Sequence, residues 1–206
     1  MLGVVCFIAM TTSREKIYIY GKHALKEALR HASKAVEKVF LSGTIDDKEL
    51  RDLCARAGIK PAALSGTTIK KGAADDAAHQ GVVALISLEK LVIPYAAFAQ
   101  KLEPNAGTAL VLLDELSDPH NVGAVIRSAA AFGIGGVFIP QHNQAPITGA
   151  VVKVSTGMAF RVPLVAIGNV NDTLRDLKER GFWIYGLEGE SKQSLANEKF
   201  DAPAVF

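Results

Sequence analysis

The sequence predicts an α/β protein in two parts: a small mixed α/β unit at residues 14–88, a linker at 89–107, and a unit built on a parallel sheet at 108–206. Three observations carry this reading. After residue 108, short apolar runs alternate with amphipathic stretches of helical period, the pattern of parallel strands covered by helices. The linker concentrates Pro94, Pro104, Asn105 and Gly107, residues that interrupt regular structure. Charge divides there too: residues 1–105 hold 15 Lys and Arg against 11 Asp and Glu, and residues 106–206 hold 8 against 10. A basic front and a faintly acidic back suit a division of labour, although chance explains the split equally well.

Residues 21–32 have helical period, with Ala24, Leu25, Ala28 and Leu29 on one face. Val36, Val39, Phe40 and Leu41 read as a strand, residues 46–57 as a second helix closed by Gly58, and residues 59–64 as a further strand. Gly81 precedes Val82-Val83-Ala84-Leu85-Ile86, an apolar run of the buried-strand kind. The linker includes a short helix. The back unit then reads as a strand at 109–113, a helix at 119–132, a strand at 136–139 closed by Pro140 and a short helix at 147–154. A strand at 162–167, an amphipathic helix at 170–180 ended by Gly181 and a strand at 182–187 follow. Residues 202–206 begin another apolar strand, and a buried parallel strand needs covering neighbours; the expectation is a unit that continues past Phe206.

The 206 residues are 49% hydrophobic, enough for a real core, and a net charge of +2 does not by itself announce a nucleic-acid binder. Cys6 and Cys54 lie far apart, which points away from a disulfide framework and towards a reducing cytoplasm. The five histidines form no metal-binding pattern, so no metal is expected. Residues 1–10 are apolar, but a bilayer span needs about 20 residues, and no basic segment precedes them as in a signal peptide. Met1 and Met10 are both candidate starts, and residues 1–12 are set aside.

The chemistry concentrates in DELSDPHNVGAVIRSAAAFG, residues 114–133. Asp118 can cap a helix, Pro119 suits its first position and Gly133 ends it. The helix is apolar nearly all round and is therefore expected to be largely buried. Arg127 interrupts it, and Gly123, one turn earlier, is expected to leave open space beside the guanidinium. Two readings of Arg127 stand: it faces a phosphate or a reacting oxygen, or it makes a structural ion pair with Asp114, Glu115 or another acid. Asn121 lies in the first turn, where unpaired N–H groups favour anions, although Asn is also an ordinary turn residue. Lys22, Lys26 and Arg30 fall on one helix face and either track a phosphate backbone or form a solvated face. Gly133-Ile134-Gly135-Gly136 leads from helix to strand, the reverse of a dinucleotide loop, and reads as a cap and turn.

The run LLDELSDPHNVGAVIRSAAAFGIGGVFIP resembles the first signature motif of the SpoU (TrmH-like) RNA ribose 2′-O-methyltransferases of the SPOUT superfamily. The likeness continues through QAPITGAVVKVSTGMAFRVPLVAIGNVNDTLRDLKERGFWIYGLEGE, and IYGKHALKEALR and HQGVVAL resemble the family's small RNA-substrate-binding domain. It covers residues 17–206. The resemblance implies a parallel-sheet domain of trefoil-knot type, incomplete here, with a substrate-binding domain in front. It implies methyl transfer from S-adenosyl-L-methionine to a ribose 2′-hydroxyl, most similar to the enzymes acting on a guanosine of large-subunit ribosomal RNA. Transfer RNA as substrate, or a non-catalytic RNA-binding or assembly protein on the same fold, are the alternatives. It places Asn121 and Arg127 in the active site, and brings Thr156, Gly157 and Leu187 towards the cofactor. Arginine keeps its proton in proteins, so Arg127 is expected to clamp charge and not to act as base. The family's second and third motifs are expected beyond Phe206, so weak cofactor binding and no activity are expected of these 206 residues. A cytoplasmic location and, for the full-length protein, a homodimer complete the picture.

Overall fold

The computed structural model describes residues 16–65, 80–191 and 194–206. Readings that concern the apolar N-terminal run with Cys6, and His79 of HQGVVAL, lie outside the described residues.

The front sheet has four strands: β1 (Lys16–Tyr20), β2 (Val36–Leu41), β3 (Ala62–Ala63) and β4 (Val82–Ser87), in the order β1-β4-β2-β3. β4 runs antiparallel to both β1 and β2, while β3 runs parallel to β2. Central β4 is buried along nearly its whole length, as its unbroken apolar run requires. Helix α1 (Lys22–His31) buries Ala24, Leu25, Ala28 and Leu29, and α2 (Lys48–Arg56) starts on the Asp47 carboxylate, which accepts from the Leu50 N–H.

The second sheet has six parallel strands: β5 (Val92–Pro94), β6 (Ala109–Leu112), β7 (Val137–Pro140), β8 (Leu164–Ile167), β9 (Trp183–Ile184) and β10 (Ala204–Val205). Their order is β5-β8-β7-β6-β10-β9. Helices α5 (Pro119–Ala131) and α6 (Gly149–Val154) cover one face, and α4 (Tyr95–Ala99) and α7 (Val170–Glu179) cover the other. Strand alternation explains the division: Val137 and Ile139 join the first core, while Phe138 packs edge-on against Tyr95 and Phe98 in the second. Tyr95 also donates a hydrogen bond to Asp176, tying α4 to α7.

Four sequence readings change. β1 was not foreseen. The segment at 89–107, expected as a linker, holds α3 (Leu88–Leu91) at its start, then α4, and it supplies β5 to the large sheet. Pro94 is tolerated because β5 is an edge strand. The strand at 182–187 shortens to two exposed residues on the opposite edge. Gly123 does not open space beside Arg127: a Cβ there would lie 2.7 Å from Val154 Cβ and 3.1 Å from the Val151 carbonyl oxygen. Glycine at that position lets α5 and α6 approach closely.

The two units share one continuous core running from Ile19 and Leu25 to Val151, Phe160 and Leu164. A Cβ at Gly149 would overlap the Tyr18 carbonyl oxygen, so α6 sits hard against β1. Glu27, fully buried on α1, forms an ion pair through both carboxylate oxygens with Arg161 of the back unit. Arg30, at 3.2 Å, shares the same carboxylate. The Arg161 hydrogen bond holds the Glu27 carboxyl below the usual glutamate range, against the opposing effect of burial.

Candidate active site

The strand order locates the site. From β6 the chain steps outward to β7 and β8 on one side; β9 and β10 lie on the other. Parallel α/β sheets bind ligands at such a reversal, outside the carboxyl ends of the strands. Those ends are Leu112 of β6, Val205 of β10 and Ile184 of β9. β10 is a full member of the sheet: the Phe206 N–H donates to the Leu110 carbonyl at 3.0 Å and the Leu112 N–H donates to the Phe206 carbonyl at 2.7 Å. Tyr185, Phe200 and Phe206 cluster beyond these strand ends, with ring centroids 5.3 to 5.5 Å apart.

The loop after β6 delivers α5 to this reversal. The Asp118 carboxylate accepts from the His120 N–H at 2.8 Å and Pro119 fills the first turn. Gly133, at φ 71°, closes the helix, and the Ile134 N–H reaches back to the Ala129 carbonyl at 2.9 Å. The loop is itself held: Gln144 accepts from the Leu116 N–H, and the Ala145 N–H donates to the Leu116 carbonyl.

The expectation that α5 is largely buried is overturned. Only Val122, Gly123, Ile126 and Ala129 are buried, a single stripe packed on the sheet and α6. Asn121, Ala124, Arg127, Ser128 and Ala131 are exposed. Alanine-rich helices look apolar all round even when one side faces solvent. Among the described residues Arg127 has no ion pair, so the structural pairing with Asp114 or Glu115 is absent. The guanidinium is exposed on α5, and neither Arg127 nor Asn121 is among the residues that line the two clefts at the strand reversal.

Ala124, Val125, Ser128 and Phe132 of the same helical segment line a cleft of about 360 Å³ together with Leu187, Leu195 and Phe206. An adjoining cleft of about 510 Å³ shares Leu187 and Leu195 and is walled by residues 184–189, Ser194 and Glu198. Leu187 therefore joins α5 at the strand reversal. Thr156 and Gly157 lie elsewhere, in a tight turn with φ of 53° and 80°. There Gly157 faces α1: its Cβ would lie 3.1 Å from Glu27 Cβ. Of the basic row, Lys26 pairs with Asp47 at 3.0 Å and with Glu49, and Arg30 also pairs with Glu49. The Glu49 hydrogen bond, then that to Asp47, raises the Lys26 pKa. Lys22 makes no salt bridge among the described residues, although its charge acts on the Asp47 carboxylate. Sequence reasoning passed over Glu27 and Arg161. The available signal was a lone carboxylate among Ala24, Leu25 and Ala28 on the apolar face of α1.

Comparison with known proteins agrees with this geometry. Residues 108–206 match the model of the SpoU rRNA Methylase family, and residues 18–91 match that for RNA 2′-O ribose methyltransferase substrate binding. The 23S rRNA (guanosine-2′-O-)-methyltransferase RlmB of Pseudomonas syringae pv. tomato is 35% identical over 190 residues, covering 91% of this chain and 76% of that one. Its counterpart in Xanthomonas axonopodis pv. citri is 36% identical over 187 residues, covering 89% and 74%. Among solved structures, the SpoU methyltransferase AviRb of Streptomyces viridochromogenes, in complex with AdoMet, superposes with a TM-score of 0.73 at 20% identity, over 92% of this chain and 71% of that one. A methylase unit behind a unit for binding substrate RNA makes the class that of an RNA-modifying methyltransferase. The chain belongs to the SpoU rRNA methylase family.

Proposed function

We propose that the protein transfers a methyl group from S-adenosyl-L-methionine to a ribose 2′-hydroxyl of RNA, with a guanosine of large-subunit ribosomal RNA as target. The observation that carries this is Arg127, exposed and without an ion pair among the described residues, on the same helix whose Ala124, Val125 and Ser128 line the crevice with Leu187. The two adjoining clefts are of ligand size and offer an apolar wall from Val125, Leu187 and Leu195 with the Glu188 and Glu198 segments nearby, which suits an adenosyl group carrying a charged tail. The cofactor, when bound there, supplies an electrophilic methyl group.

The chain's own residues do the rest. A ribose hydroxyl is a poor nucleophile and must give up its proton, to water or an RNA phosphate oxygen, as its oxygen takes the methyl group; negative charge builds on that oxygen as the proton departs. Arg127, protonated throughout, orients the neighbouring phosphate and stabilises the developing oxyanion. Asn121, in the first turn of α5, positions the ribose. The reaction requires the 2′-hydroxyl, so RNA and not DNA is the substrate. Residues 14–88 form the RNA-holding unit and residues 108–206 the catalytic one, with Lys22 the freest member of the α1 row and Lys26 and Arg30 joining it where RNA phosphate displaces Glu49. A cytoplasmic homodimer belongs to the same proposal: Trp183, 64% exposed, is a large apolar group of the kind that pairing covers.

The test is transfer of labelled methyl from S-adenosyl-L-methionine to ribosomal RNA, followed by mapping of the modified nucleotide. A matched RNA with a 2′-deoxy target nucleotide should accept no label. Label on a base, or transfer to transfer RNA alone, would overturn the assignment.

A further inference from the structure

The seam between the two units contains a cleft of about 440 Å³ that none of the residues discussed so far explains. Four basic side chains from four separate segments line it. His31 ends α1, and Lys34 lies in the short 3-10 turn Ser33–Ala35. Lys90 belongs to α3, and Arg161 follows the turn Met158–Phe160 of the back unit. No Asp or Glu lines the cleft. The floor is apolar, with Leu91 and Phe160 buried beneath the charges.

This arrangement differs from the basic row on α1. Lys26 and Arg30 are met by the carboxylates of Asp47 and Glu49, so their charge is largely spent inside the protein. Lys34 and Lys90 are exposed and have no carboxylate partner among the described residues. Arg161 is bound to Glu27 through Nε and Nη2, which fixes its plane and leaves Nη1 directed at no carboxylate. Glu27 binds Arg161 and lies 3.7 Å from His31 Nε2, so the charge left unanswered is that of Lys34 and Lys90; like charges repel one another, and an anion placed between them relieves that repulsion.

We infer that this seam is a second RNA contact, in which Lys34, Lys90 and Arg161 grip backbone phosphates of the strand that the front unit holds. The inference rests on the reading of the substrate as RNA. Phosphates are the fitting partner because the cleft offers charge on an open rim and no set of directed acceptors. Such a site reads a backbone and not a base sequence. The seam also connects to the chemistry: the turn Met158–Phe160 that carries Arg161 packs against α5, the helix of Asn121 and Arg127. A strand anchored at the seam is thereby fixed relative to both units at once, and Glu27 acts as a positioning residue by holding the Arg161 guanidinium at the rim.

The experiment uses the 206-residue protein and a fluorescent ribosomal RNA hairpin, with affinity measured by anisotropy across a range of salt concentrations. The variants are Lys34→Ala/Lys90→Ala and, as a second pair, Lys34→Gln/Lys90→Gln. Both positions are exposed, so thermal unfolding should match the parent. Two lost phosphate contacts should flatten the slope of log affinity against log salt by about 1.4, at roughly 0.7 per single-strand contact, and weaken binding roughly tenfold or more near 0.1 M salt. Parent protein that binds RNA, with both pairs of variants showing its slope and affinity, would overturn the seam contact and leave the proposed function standing. Parent protein that binds no RNA would overturn both. A loss confined to one hairpin sequence would also overturn it, since phosphate contacts weaken all sequences alike.

Discussion

Replacing Arg127 with alanine separates the two roles a cationic residue on this helix can have. The side chain is exposed and has no ion pair among the described residues. Arginine and alanine are both good helix formers, differing by a few tenths of a kcal/mol. The exchange therefore leaves stability within about 0.5 kcal/mol, the range of ordinary surface substitutions. An ion-paired structural arginine would cost more, because its removal strands a carboxylate. Methyl transfer should respond very differently. Losing one preorganised group that stabilises a developing oxyanion costs roughly 10²–10³ in turnover, or about 2.7–4 kcal/mol. Arg127→Lys keeps the charge but not the planar fork, and should recover only part of the rate. The assay pairs thermal unfolding with label transfer to ribosomal RNA, and adds calorimetric titration with S-adenosyl-L-methionine. Cofactor affinity should stay near the parent value. An Arg127→Ala protein of parental activity would refute the electrostatic role, and one that lost its fold would mean that the guanidinium holds α5 in place.

Other outcomes follow from the same geometry. Leu187→Asp puts a charge into the apolar wall shared by the two clefts and should weaken S-adenosyl-L-methionine binding roughly tenfold or more; unchanged calorimetric affinity would remove Leu187 from the pocket. Glu27 has a folded pKa held below the usual 4.5, so its stabilisation is present above that pH and is lost as pH falls through the folded value. Glu27→Gln should cost about 1–3 kcal/mol at neutral pH, discounted because Arg161 and Arg30 are partly solvated, and denaturant melts should show a shallower loss of stability below pH 4.5 than in the parent. Phe138→Ala removes a fully buried ring held edge-on by Tyr95 and Phe98 and should cost about 3–5 kcal/mol in the same melts; a smaller loss would mean that α4 relaxes into the gap.

The sequence revealed those features whose causes are local. Asp118, Pro119 and Gly133 specify where α5 starts and stops, because capping and positive φ are settled within a turn of chain. Gly58 and Gly181 end their helices for the same reason. Which side of α5 is covered was not legible: alanine and valine recur around the whole helix, and only the tertiary neighbours decide that Val122, Ile126 and Ala129 go inward while Ala124 and Ala131 face solvent. Gly123 misled for a related reason. A missing side chain signals either empty space or a close neighbour, and Val154 lies on a different helix, beyond any helical period of α5 that could have hinted at it. β1 did carry a signal, in the alternation of Ile17 and Ile19 with Tyr18 and Tyr20, but five residues compete poorly with longer runs.

The hardest features were those that join distant segments. β10 inserts between β6 and β9, and no periodicity shows which gap in a sheet a two-residue strand will fill. Pro94 looked like punctuation because proline breaks interior strands, yet at the sheet edge its missing N–H faces no partner. Glu27 and Arg161 are separated by 134 positions, and each looks ordinary alone. What the sequence offered was half of the pair: a carboxylate at the centre of an apolar helix face requires a cation from somewhere, since an unpaired buried charge is too costly to keep. The same reasoning, run in the opposite direction, applies to Arg127. There the structure supplies no acid, and the charge is tolerated because it is solvated. An arginine that is free in the protein alone, on the helix that faces the strand reversal, is available to an anion that arrives with the substrate. The contrast between Arg161, fixed by Glu27, and Arg127, which no acid holds among the described residues, is therefore the contrast between a cation whose plane the protein sets in advance and one left wholly to the anion that arrives.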